Sequence, residues 1–74
     1  MERMVEVYAA RDVIEAHFLK DLLDGYGIES QVVEENSAYA GAIGLARPRV
    51  WVFEHDQPRA RDLLREYEER PKEL

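Results

Sequence analysis

Hydrophobic side chains in this chain recur with period two, then 3.6, then two, then two again after a long break, and finally 3.6. That order of periods admits few folds. Met4 to Ala10 alternate as a strand does, with Val5, Val7 and Ala9 on one side and Met4, Glu6 and Tyr8 on the other. Asp12-Val13-Ile14-Glu15 then has the spacing of a capping box. In that motif Asp12 accepts from the Glu15 N–H, while Glu15 reaches back to the Asp12 N–H. A helix is predicted over 13–26, with Ala16, Phe18, Leu19, Leu22, Leu23 and Tyr26 on one broad arc and Val13, His17, Lys20, Asp21 and Asp24 opposite. Gly27 stands where a left-handed residue closes a helix, and Ile28 is placed to fold back on the last turn.

Residues 28–33 read as a second strand and 49–54 as a third, the latter β-branched and aromatic in its middle. Between them lies a connection, 34–48, that is long for so small a domain, and such loops are commonly functional or mobile. Asp56 is placed to cap a second helix with Pro58 in its first turn. Ala60, Leu63, Leu64 and Tyr67 follow the i, i+3, i+4, i+7 rule, and Pro71 ends the helix.

Two amphipathic helices need one sheet face to cover. A right-handed crossover makes the first and second strands run the same way, and the third inserts between them antiparallel to both. The predicted fold is therefore α+β: a ferredoxin-like two-layer sandwich, β-α-β-β-α, with strand order 1-3-2 and both helices on one face. A single domain is expected over 1–74, and after the second helix only Pro71 to Leu74 remain for a fourth strand. The first strand is then an edge with unpaired backbone groups. If Val5, Val7, Val50 and Val52 face the helices, Met4, Tyr8, Trp51 and Phe53 face away, which makes those four the interface candidates. The competing reading has the long loop folding over them within one chain.

Composition narrows the function classes. With no cysteine, disulfides, thiolate metal sites and cysteine nucleophiles are excluded, and a reducing, cytoplasmic setting is expected. The N-terminus opens a strand pattern and has no apolar leader core, and no apolar run is long enough to span a bilayer. Sixteen acidic against ten basic residues give a formal charge of −6, which opposes non-specific attraction to nucleic acid or an anionic membrane.

Few residues carry recognisable chemistry. Glu15 lies near the middle of the helical apolar arc. It is either a partly buried carboxylate that meets a ligand or loop N–H, or it is engaged by the capping box, and the box is the stronger reading. Gly41 and Gly44 frame a loop tip that is either a recognition loop or a plain connector; it lacks the lysine and following helix of a phosphate loop. Arg47 and Arg49 flank Pro48 and make a positive spot suited to an anion or an acidic neighbour. His17 and His55 have no matching ligand spacing for zinc, and no nucleophile–base set is spaced for catalysis. No cofactor or metal is expected.

An ordered series of residues does resemble a known family. Val7-Tyr8-Ala9-Ala10, Glu15-Ala16-His17, Leu22-Leu23, Gly27-Ile28, Gly41-Ala42-Ile43-Gly44, Val50-Trp51-Val52 and Ala60 together resemble the short bacterial domain family, of unknown function, described as a putative prokaryotic signal-transducing protein. The resemblance covers about residues 4–67. It implies a ferredoxin-type fold similar to that of nitrogen-regulatory P-II proteins, and a regulatory binding role. The stretch Gly44-Leu45-Ala46-Arg47-Pro48-Arg49 departs from the family, which often continues there with an acidic residue, leucine and proline.

The expectation is a small non-catalytic regulatory or interaction module, signal-transducing by resemblance, that binds a small ligand or protein partner and works as a homodimer. The alternative is single-stranded RNA or nucleotide binding by stacking on Tyr8, Trp51 and Phe53. The acidic charge and the missing basic and Gly-Phe consensus oppose it.

Overall fold

The computed structural model describes residues 1–34 and 47–70. They form β1 (Met4–Ala9), α1 (Val13–Gly25), β2 (Ser30–Val33), β3 (Arg49–Phe53) and α2 (Gln57–Glu69), with a 3₁₀ turn at Glu54–Asp56 leading into α2. β3 is central and antiparallel to both neighbours, so the order is β1-β3-β2, the ferredoxin-like arrangement. Ala16, Leu19 and Leu23 of α1 and Ala60 and Leu64 of α2 bury themselves against Val50 and Val52 of β3. Burial of each large aliphatic side chain here contributes about 1.5–3 kcal/mol.

The end of α1 is fixed by a left-handed glycine. Gly27 has φ +77°, its N–H donates to the Asp24 carbonyl at 3.0 Å, and the Ile28 N–H donates to the Leu23 carbonyl at 3.0 Å. This double reverse bond satisfies two carbonyls of the last turn and folds Ile28 into the core. Ile28 is taken up by that cap, which is why β2 begins only at Ser30. Arg59 of α2 donates to the Tyr26 carbonyl at 2.8 Å, a further tie on the same helix end.

The predicted caps differ in detail. Asp12 Oδ1 accepts from the Glu15 N–H at 2.8 Å, as the motif requires. Glu15 Oε1, however, accepts from the N–H of Arg11, at 2.8 Å, one residue earlier than the box predicts. Asp56 does not cap α2. The 3₁₀ turn runs straight into the helix and leaves Asp56 helical itself (φ −92°, ψ −2°), whereas a capping residue needs extended backbone to reach the next N–H groups. Its buried carboxylate instead meets His55 Nε2 at 3.2 Å and Arg59 at 3.4 Å.

A more consequential difference lies in β1. Glu6 stands opposite Trp51, but Tyr8 stands opposite Val50, so Val7 is an extra residue in the strand. Such a bulge slips the alternation by one. Val50 is fully buried on the helix side, and Tyr8 shares that side. Its ring meets Tyr67 of α2 edge-on, with centroids 6.5 Å apart. The expectation that Tyr8 faces away from the helices is therefore corrected, and Ala9, opposite Arg49, is carried to the open side in its place.

Candidate functional site

The site is assembled from the side of the sheet that neither helix covers. Val50 and Val52 point to the helices, so their neighbours on β3, Arg49, Trp51 and Phe53, point the other way. The register brings Met4, Glu6 and Ala9 of β1 to one flank of this row and Gln31 and Val33 of β2 to the other. Met4, Trp51 and Phe53 are half-buried, and Val33 is 47% exposed. Three of the four sequence-derived interface candidates thus lie together, and Tyr8 does not join them. The stacking alternative loses its β1 ring with it, since Trp51 and Phe53 now supply the aromatic surface from one strand.

Two charges on the strands of this face pair with each other, and a third, Arg47, stands at its corner. Arg49 Nη1 donates to both carboxylate oxygens of Glu6 at 3.1 Å. Arg47, at the corner, donates from Nε to the Ala10 carbonyl at 3.2 Å and from Nη2 to the Ala9 carbonyl at 3.3 Å. The Ala10 N–H in turn donates to the Pro48 carbonyl at 2.9 Å. Arg47 therefore fastens the approach to β3 onto the end of β1. Arg49 thus meets an acidic neighbour, one of the two roles expected of it, whereas Arg47 is held by backbone carbonyls and has no acidic partner among the described residues. Gly41 and Gly44 lie outside the described residues.

Between these groups is a depression of about 350 Å³ lined by Glu6, Val33, Arg47, Arg49 and Trp51. Trp51 carries a further signal. Its indole nitrogen is buried and has no hydrogen-bond partner among the described residues. A buried indole N–H normally finds an acceptor, because leaving it desolvated and unpaired costs about 1–3 kcal/mol. Glu6 and Val33 were not singled out from sequence. The alternation that placed Trp51 outward would have found them once the strand register was known.

Glu15 belongs to the other side of the molecule. It is 7% exposed, and its Oε2 accepts from the Tyr67 hydroxyl at 2.8 Å, with the Arg11 guanidinium 3.7 Å away. Burial pushes its carboxyl up, but the Arg11 N–H, the Tyr67 hydroxyl and the Arg11 charge outweigh that and hold it below the ordinary carboxylate value. The Tyr67 phenol is pushed up by burial and by its bond to Glu15. Tyr8 is pushed up by burial and by the Glu15 charge. Glu15 is thus a buried cross-link between α1 and α2, and the structure does not bring it into one site with Arg49.

A second apolar feature escaped the sequence reading. Ile14, Phe18, Leu22 and Tyr26 repeat every four residues along α1, and Ile14, Phe18 and Tyr26 are 80%, 53% and 55% exposed. Phe18 and Tyr26 lie at the margin of the broad arc they share with Leu19 and Leu23, and Phe18 meets the Tyr67 ring with centroids 5.8 Å apart. The cleft between the helices here holds only about 40 Å³.

No helix among the described residues is long and apolar enough to cross a membrane. Compared with known proteins, residues 4–68 match the family described as putative prokaryotic signal transducing protein. No curated protein and no solved structure matches the chain.

Proposed function

We propose that this chain, which belongs to that prokaryotic signal-transducing family, is a non-catalytic regulatory module that recognises its partner through the open face of the sheet around Trp51. The observation that carries this reading is Trp51 itself: half-buried, turned away from both helices, and holding a buried N–H that no described residue satisfies. A partner with apolar surface would cover what Trp51, Phe53 and Met4 leave exposed. The family description supports a signalling role, and the neutralised Glu6–Arg49 pair supports recognition by shape and burial more than by charge.

A thermal-shift screen of small molecules and peptides tests this, run in parallel on the wild-type chain and on Trp51→Ala. A binder of the native state raises its melting temperature by mass action. Compounds that act through this face should shift the wild type and leave Trp51→Ala unmoved. Compounds that shift both equally would place the binding site elsewhere.

A further inference from the structure

We infer that the partner of the open face is a second copy of this chain, packed sheet against sheet. This rests on the open-face reading above and names its occupant. Charge points to that occupant. The chain carries −6 overall, so two copies repel through most of their surfaces. On the open face the balance is different. Glu6 and Arg49 cancel at 3.1 Å, and every other outward residue of the three strands is uncharged. Two copies can meet here without bringing acid against acid, and the exposed Arg47 at the corner, held by backbone carbonyls, meets a chain that is acidic overall. A strongly basic partner gains nothing from the same surface.

The face is also self-complementary in the sense that a two-fold pairing needs. One patch presents apolar side chains together with one acid and one base, so each copy offers what the other accepts. Sheets that stack face to face lie about 10 Å apart and bury the side chains between them. That would enclose Trp51 and Phe53 of both copies. Three short strands give an interface at the small end of the specific range, so dissociation in the micromolar range is expected.

Sedimentation equilibrium from about 1 to about 500 µM brackets weak specific association and decides the matter. The wild type should convert from monomer to dimer as concentration rises. Arg49→Glu leaves two adjacent acids and no base on the strands of each copy and should stay monomeric across the series. The double reversal Glu6→Arg with Arg49→Glu restores neutrality and should restore the dimer, with circular dichroism melts confirming that all three chains fold. A dimer that survives Arg49→Glu overturns the inference, as does a wild type that stays monomeric. In the monomeric case acrylamide quenching of Trp51, the sole tryptophan, separates two failures. Ready quenching removes only self-association. A shielded Trp51 shows the face covered within one chain and removes the open-face reading with it.

Discussion

On the helix side of the sheet, Val50 and Val52 are fully buried, and the buried carboxylate of α1, Glu15, accepts from the Arg11 N–H and the Tyr67 hydroxyl. On the opposite side Trp51, the residue between those two valines, stays half exposed with its N–H unpartnered among the described residues. The same three strands therefore carry one face whose needs are largely met internally and one whose needs are not. Ser30 is the exception on the inner side, with a buried hydroxyl that has no partner among the described residues. The contrast teaches that aromatic content alone does not mark a binding surface. Tyr8 and Tyr67 are as aromatic as Trp51 and Phe53, yet they hold the two layers together.

The sharpest way to break this comparison is to damage each side in turn. Leu23→Ala removes a fully buried side chain from the inner layer and should destabilise the monomer by about 2–5 kcal/mol in urea denaturation. A cost under about 1 kcal/mol would show that the inner layer is not the core. Tyr67→Phe takes one donor from Glu15 and should cost about 1–3 kcal/mol at neutral pH. That penalty should depend on pH. Glu15 titrates below its ordinary value of 4.5 when folded, so its stabilisation is complete above that value and is lost as pH falls through the lowered one. The gap between wild type and Tyr67→Phe should close over the same acidic range, and a constant gap would argue against a charged acceptor.

Ser30→Ala should act in the opposite sense. It deletes a buried hydroxyl with no partner among the described residues and should raise stability by up to about 1 kcal/mol, measured by thermal melting. A loss of similar size would reveal an acceptor that the hydroxyl uses. The smallest effect is expected on the open face. Val33→Ser changes an exposed residue and should alter monomer stability by less than about 0.5 kcal/mol at low micromolar concentration. A penalty of about 2 kcal/mol would show that the outer side is part of the folding core after all.

Much of this architecture was legible because its signals are local. The Asp12 cap, the Gly27–Ile28 closure and the i, i+4 rows of α1 and α2 each lie within one or two turns of chain. What escaped depends on contacts far apart in sequence. The bulge at Val7 has no glycine or proline to announce it, and it shows only when β1 is laid against β3. The partners of Arg47 and Arg49 lie 37 to 43 positions away, so no spacing rule could find them. Phe18 and Tyr26 share an arc with Leu19 and Leu23, and only the placement of α2 decides which of them is covered. Asp56 failed as a cap because the turn before it proved helical, a matter of backbone geometry and not of residue type.

The bulge has one more effect, along the border of β1. The Arg3 carbonyl accepts from the Glu54 N–H and the Ala10 N–H donates to the Pro48 carbonyl, so both residues turn toward β3. Alternation from each end then turns Met4, Glu6 and Ala9 outward, with spacings of two and three. A strand arriving from another molecule keeps a constant step of two, so it can match Met4 and Glu6 but falls out of phase at Ala9. Met-Val-Glu-Val-Tyr-Ala is otherwise the kind of β-prone segment on which fibrils grow. One inserted valine makes this border a poor template for such growth, and Glu6 adds a charge to the same strand.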